Sequence, residues 1–89
     1  MAIVWIPPLL RHLTGGTDQV TAQGSTLRRV LNSLEEIYPG FKGAVLEANG
    51  EQVRSGIAVV IDGEASQMRL IESVEETSEI HFVPAISGG

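Results

Sequence analysis

The sequence predicts an α+β layer, a mixed sheet with one main helix packed on one face. Three observations lead there. Strand-like runs rich in Ile, Val and an aromatic residue stand near both ends of the chain, at residues 2–6 and 79–83. Between them, Leu27, Val30, Leu31, Leu34, Ile37 and Tyr38 fall at the spacing that lays one apolar stripe along an α-helix. The length, 89 residues with 43% hydrophobic and 19% charged, fits one folded unit and leaves little room for a second core.

Residues 2–6 are almost wholly apolar, which suits a strand covered on both faces and places it at the centre of the sheet. Pro7 and Pro8 lack amide hydrogens and end its ladder. Thr14-Gly15-Gly16-Thr17-Asp18 then supplies a tight reversal into a second strand at residues 19–23, the other arm of a hairpin. The helix is expected over residues 26–38, with Ser25 or Thr26 capping its first turn and Pro39-Gly40 stopping it. Arg28 and Arg29 sit at the positive end of its dipole, and Glu35 and Glu36 at the negative end. Each placement costs only about a few tenths of a kcal/mol at an exposed surface. Tertiary packing overriding propensity is the plain reading; the sharper one sets Arg28 and Arg29 against an acidic partner. After the helix an irregular stretch with Gly43, Asn49-Gly50 and Gly56 leads to a buried strand at residues 57–61, which ends at the turn Asp62-Gly63. Arg69-Leu70-Ile71 is expected as a short edge strand. Residues 79–83 alternate polar with apolar for most of their length, and Pro84 closes them.

Composition excludes several classes of function. The net charge is -5, eleven acidic residues against six basic, which argues against nucleic acid because phosphate backbones are held by clustered Lys and Arg. The chain has no cysteine, so disulfides, thiolate-bound metal and cysteine nucleophiles are out. His12 and His81 alone fall short of a zinc set, and no metal site is expected. No phosphate loop or nucleophile motif is present, and hydroxyls such as Ser25 or Ser66 lack an evident base, so catalysis by this chain alone is not expected. No membrane segment is expected either, and the first residues lack the basic stretch and long apolar run of a secretory signal, which makes the cytoplasm the expected compartment.

The last residues are Pro84-Ala85-Ile86-Ser87-Gly88-Gly89, an arm that follows directly on a strand. A final glycine pair arises by chance in roughly 0.5% of chains, so it is informative but needs context. That context comes from two further segments, Ile6-Pro7-Pro8-Leu9-Leu10-Arg11 with Thr14-Gly15-Gly16, and Ser33-Leu34-Glu35-Glu36-Ile37-Tyr38-Pro39-Gly40. With these the chain resembles the ubiquitin-like sulfur carriers: the small subunit of molybdopterin synthase, the thiamine-pathway carrier and the carrier of a cysteine-synthesis route. The first-strand segment is most similar to the last of these.

The resemblance implies a ubiquitin-like β-grasp over residues 1–84, with first and last strands paired in parallel, and a C-terminal tail at residues 85–89. It implies that Gly89 carries the reacting carboxyl group, with Gly88 beside it. An E1-like adenylating enzyme would spend ATP to activate that carboxylate, and a sulfur donor protein would convert it to a thiocarboxylate. The carrier would bind no cofactor of its own. The acceptor would be a molybdopterin synthase large subunit or a pyridoxal-phosphate enzyme of cysteine synthesis. Because two glycines supply little binding energy, recognition is expected from the folded surface beside them: Phe82, Ile86 and Ser87, with Glu72, Glu75, Glu76 and Glu79 as electrostatic guides. For Phe82 a core position is the simpler expectation, and for the acidic set a solvated surface. Two rivals remain: a ubiquitin-like modifier joined through Gly89 to lysines of target proteins, and an interaction module whose glycine tail is incidental.

Overall fold

The computed structural model describes residues 1–66 and 69–84. Its sheet contains β1 (Ala2–Trp5), β2 (Gln19–Ala22), β3 (Ile57–Ile61), β4 (Glu64–Ala65) and β5 (Glu79–Pro84), in the order β2-β1-β5-β3-β4. β1 runs parallel to β5, with Val4 opposite Ile80, and antiparallel to β2, with Val4 opposite Val20. β5 lies antiparallel to β3 along its upper length, from Ile61 opposite Ile80 to Ile57 opposite Pro84. The helices α1 (Leu27–Ile37) and α2 (Phe41–Val45) complete the mixed α+β layer expected from the sequence.

Period-2 alternation decides which strand residues meet the helices. Ala2, Val4 and Ile6 are buried, as are Ile80 and Phe82 of β5 and Val59 and Ile61 of β3. Against them α1 sets Leu27, Val30, Leu31 and Leu34, all fully buried. Ile37, counted in the helical stripe, is instead 58% exposed at the end of the last turn. Thr26 is the residue that caps α1, its Oγ1 accepting from the Arg29 amide at 3.3 Å. Gly24 shows how closely the chain enters the helix. At φ 147°, a Cβ there would stand 2.6 Å from the Val30 nitrogen.

Several expectations are corrected. The first strand is flanked on both sides, but the central place in the sheet belongs to β5, and Ile3 and Trp5 on its outer face are only half-buried. The connection from β1 to β2 is longer than a simple hairpin turn, because Pro8–Thr14 winds into a 3-10 helix before the reversal. Pro8 at its start has no amide to satisfy, and the turn closes through Gly15 at φ 66° and Gly16 at φ 90°. Buried Thr14 locks it, its hydroxyl donating to the Thr17 carbonyl at 2.8 Å. The stretch expected to be irregular after α1 begins with α2, whose Phe41 is fully buried.

The edge strand is also misplaced. Arg69–Ile71 forms a short 3-10 helix that buries Leu70, and the edge is β4, which returns at once through the two-residue turn Asp62-Gly63. Both turn residues have positive φ, 52° and 84°, the backbone twist that lets antiparallel strands reverse without splaying.

Candidate functional site

The strand that leads to the C-terminus is held on both sides. Parallel pairing to β1 fixes its start, and antiparallel pairing to β3 reaches its last residue, Pro84. A second set of bonds fixes its beginning to the β3–β4 turn. One oxygen of the Asp62 carboxylate accepts from the Glu79 amide at 2.9 Å and the other from the Ser78 hydroxyl at 2.8 Å, while the Asp62 amide donates to the Glu79 carbonyl. Ser78 is 1% exposed, and its hydroxyl oxygen also accepts from the Glu75 amide at 2.9 Å. The backbone bond from Glu79 and the bond from Ser78 hold the Asp62 carboxyl below the ordinary aspartate value, outweighing its partial desolvation.

Sequence reasoning named nine site residues, and the structure describes five of them: Phe82, Glu72, Glu75, Glu76 and Glu79. Ile86, Ser87, Gly88 and Gly89 lie outside the described residues. Phe82 is 3% exposed and packs edge-to-face on Phe41, ring centres 5.9 Å apart, so its side chain belongs to the core. It reaches the surface only as one lining residue of a groove. The glutamates are spread along the approach to β5 and have separate surroundings. Glu72 accepts from the Ser66 hydroxyl at 2.9 Å, and Glu76 lines a polar groove with Met1, Gln23 and Arg29. Glu75 is exposed, and Glu79 accepts from the Trp5 indole nitrogen at 3.1 Å.

Two features beside the strand escaped the sequence reading. Trp5 and His81 stack face to face on the outer side of the sheet, with centroids 5.5 Å apart and planes 9° from parallel. Their signal was the alternation itself, since Trp5 falls out of phase with Val4 and Ile6 and so had to face outward. The other is Leu9, 79% exposed on the 3-10 helix and lining the same groove as Phe82, Val83 and Pro84. No hydropathy pattern marks an apolar residue on a helix too short to show a period. Among the described residues, no group of three or more His, Cys, Asp or Glu is arranged to hold a metal ion. No helix among them is long and apolar enough to cross a membrane.

The central strand is thus pinned at both ends of its described length. The family model described as the ThiS family matches residues 4–89. The chain belongs to the ThiS family. Within the wider ubiquitin-like group, it is similar to the sulfur carrier protein CysO of Mycobacterium tuberculosis, 27% identical over 97% of this chain and 96% of that protein. The crystal structure of M. tuberculosis CysO superposes with a TM-score of 0.91 at 25% identity, covering 97% of this chain and all of the other, 100%. CysO in the BexX/CysO complex of Amycolatopsis orientalis gives 0.90 at 27% identity, with 100% of both chains covered. The small archaeal modifier protein 1 of Methanosarcina acetivorans gives 0.79 at 26% identity, over 99% of this chain and 95% of that one. These ThiS-family likenesses establish the ubiquitin-like β-grasp expected from the resemblance, including the parallel pairing of first and last strands. Family members are small carriers rather than catalysts.

Proposed function

We propose that the chain is a sulfur carrier whose C-terminal carboxylate, on Gly89, is adenylated and then converted to a thiocarboxylate. The observation that carries this reading is the family match through residue 89, together with 97% coverage by a sulfur carrier of nearly equal length. In the proposed cycle the carboxylate oxygen attacks the α-phosphate of ATP and pyrophosphate leaves. Hydrosulfide supplied by the donor then adds to the acyl carbon, AMP departs with the original oxygen, and loss of the sulfur-bound proton leaves the thiocarboxylate. Glycine suits both steps, because without a Cβ neither Gly88 nor Gly89 blocks a narrow channel or crowds the acyl carbon.

The partners in this reading are an E1-like adenylating enzyme, a sulfur donor protein and an acceptor enzyme, and the cycle runs in the cytoplasm. The similarity to CysO and the first-strand segment favour an acceptor of the cysteine-synthesis type over the molybdopterin type. The chain's lack of cysteine fits a carrier that receives sulfur from outside, since no internal thiol competes for the activated acyl group. A second reading is protein modification through Gly89, favoured by the likeness to the small archaeal modifier protein 1.

One experiment separates these readings. Incubated with its activating enzyme, ATP and a sulfur source, the carrier gains the mass of one sulfur-for-oxygen exchange at Gly89. A variant extended by one alanine does not, since the reacting carboxylate then sits on a methyl-bearing residue. Equal reaction of the extended form ends the role proposed for the glycine tail, and no sulfur gain by the wild type ends the sulfur-carrier reading. Gly-Gly remnants on lysines of other proteins, without a thiocarboxylate form, establish the modifier.

A further inference from the structure

The sheet ends at β2 on one side and at β4 on the other, and the two edges differ. β4 has two residues, a length that gives another strand little to pair with, whereas β2 has four and carries neither proline nor charge. Two bonds fix the hydrogen-bonding phase of β2. The Ile6 amide donates to the Asp18 carbonyl at 2.9 Å, so these two residues form a bonded pair. The Ile3 amide donates at 2.9 Å to the Ser78 carbonyl, on the side of β1 away from β2. Antiparallel partners alternate between bonded and non-bonded pairs, so Val4 bonds to Val20 and Ala2 to Ala22, while Gln19 and Thr21 do not bond to β1. The amides and carbonyls of Gln19 and Thr21 therefore point out of the sheet, and among the described residues no group bonds to them. Just past β2 the Gln23 carbonyl accepts from the Ser33 hydroxyl of α1 at 2.8 Å, so the open edge ends against the helix. Charges of opposite sign flank it. Asp18 is exposed immediately before β2, and Arg29 is exposed beside Gly24, where a Cβ on the glycine would stand 2.9 Å from that of Arg29. Arg28 pairs with Glu51, but Arg29 and Asp18 have no ion pair among the described residues.

We propose that the β2 edge takes up an extended segment of another protein as a further strand, antiparallel to β2, with an acidic residue at the start of the segment and a basic residue at its end. Alternate residues of an extended chain present their backbone groups at the spacing of Gln19 and Thr21, so the edge offers two donors and two acceptors in register. Backbone bonds are blind to sequence, and the flanking charges supply the selection. An antiparallel segment begins alongside Gly24, where Arg29 meets its carboxylate, and finishes alongside Asp18, where its cation sits. A segment of six residues spans this stretch, about 20 Å when extended. A second copy of the chain fits less well, because each copy brings a net charge of -5. β1 stands between β2 and β5, so a docked segment leaves both sets of pairs that hold β5 in place. The proposal is independent of the reading of Gly89.

The test uses two end-capped peptides of one composition, Asp-Thr-Val-Thr-Val-Lys and its end-exchanged form Lys-Thr-Val-Thr-Val-Asp, titrated into the full-length isotope-labelled chain and followed by amide chemical shifts. The first peptide is expected to shift the Gln19 and Thr21 amides saturably, with a Kd lower than that of the second by about fivefold or more. Thr21→Pro removes one outward amide and no bond to β1, and Arg29→Glu reverses the charge at the other end. Each should weaken the first peptide by about fivefold or more while circular dichroism matches wild type. No saturable shift at Gln19 and Thr21, equal or tighter binding of the exchanged peptide, or wild-type affinity in a folded Thr21→Pro overturns the proposal. Should Thr21→Pro fail to fold, Arg29→Glu and the peptide exchange decide, and unchanged affinity in either overturns it. A wild-type dimer in sedimentation that Thr21→Pro disperses assigns the edge to a second copy and overturns it as well.

Discussion

Glu35 illustrates how a residue that looks misplaced along one helix can be well placed between two. It sits near the negative end of α1, where a carboxylate is disfavoured, yet its two oxygens accept from the Gly40 and Lys42 amides, both at 2.9 Å. Those amides belong to the first turn of α2, so Glu35 caps the next helix across the turn. The two backbone bonds, Gly40 first, hold its carboxyl below the ordinary glutamate value. Asp62 is depressed in the same direction by the Glu79 amide and Ser78. A carboxyl with a lowered folded pKa contributes its stability above its unfolded pKa and loses it as pH falls through the folded value. Glu35→Gln and Asp62→Asn are therefore expected to lower Tm at pH 7. Their deficit against wild type should shrink as pH falls below the ordinary carboxylate range and through the lowered folded values, and Tm against pH checks it. Gly24 is the other decisive residue, since a Cβ at its positive φ would press on the backbone of Arg29 and Val30. Gly24→Ala should cost about 2–4 kcal/mol in urea unfolding, from backbone strain and overpacking together.

The short helices do the work of closing the core. α2 has only five residues, too few to be stable on propensity, and it holds because Phe41 and Val45 are fully buried. Phe41 also meets Phe82 of β5 edge-to-face, which ties α2 to the strand that leads to the tail. Phe41→Ala should destabilise by about 3–5 kcal/mol, measured by denaturant unfolding, the usual cost of a phenylalanine-sized cavity. The 3-10 helix at Arg69–Ile71 plays a similar part by burying Leu70 beside α1, whose Leu27 amide donates to the Glu72 carbonyl at 3.0 Å. Arg28 is less consequential. It approaches Glu51 at 3.9 Å with both side chains largely exposed, which is a weak solvated pair.

On the scale of the whole molecule, the sheet order shows how firmly the strand before the C-terminal tail is held. The strand that precedes it is central, and unzipping it means breaking pairs to β1 and β3 together. Much of this was legible in the sequence. The class, the main helix with its cap, and the strands at both ends followed from periodicity, because burial of one face imposes a repeat of 3.6 or 2 that hydropathy records directly. The glycine pair, with the similarity of the first strand and the helix end, pointed to the family. What the sequence could not carry were the places where a distant neighbour chose the structure. Residues 41–45 are held helical by Glu35 and by the core, Arg69–Ile71 is helical because Leu70 turns inward under α1, and β4 forms because two positive-φ residues fold it straight back on β3. The same limit applies to the site. Gly89 could be proposed from the glycine pair and the family resemblance, but the groove joining Leu9 to Val83 and Pro84 exists only after residues more than seventy positions apart are folded together. Local pattern therefore determined the main helix and the strands at both ends. Tertiary packing decided the short helices, the edge strand and the surface beside the tail, because burial and side-chain caps contributed from far along the chain outweigh the small local preferences of a few residues.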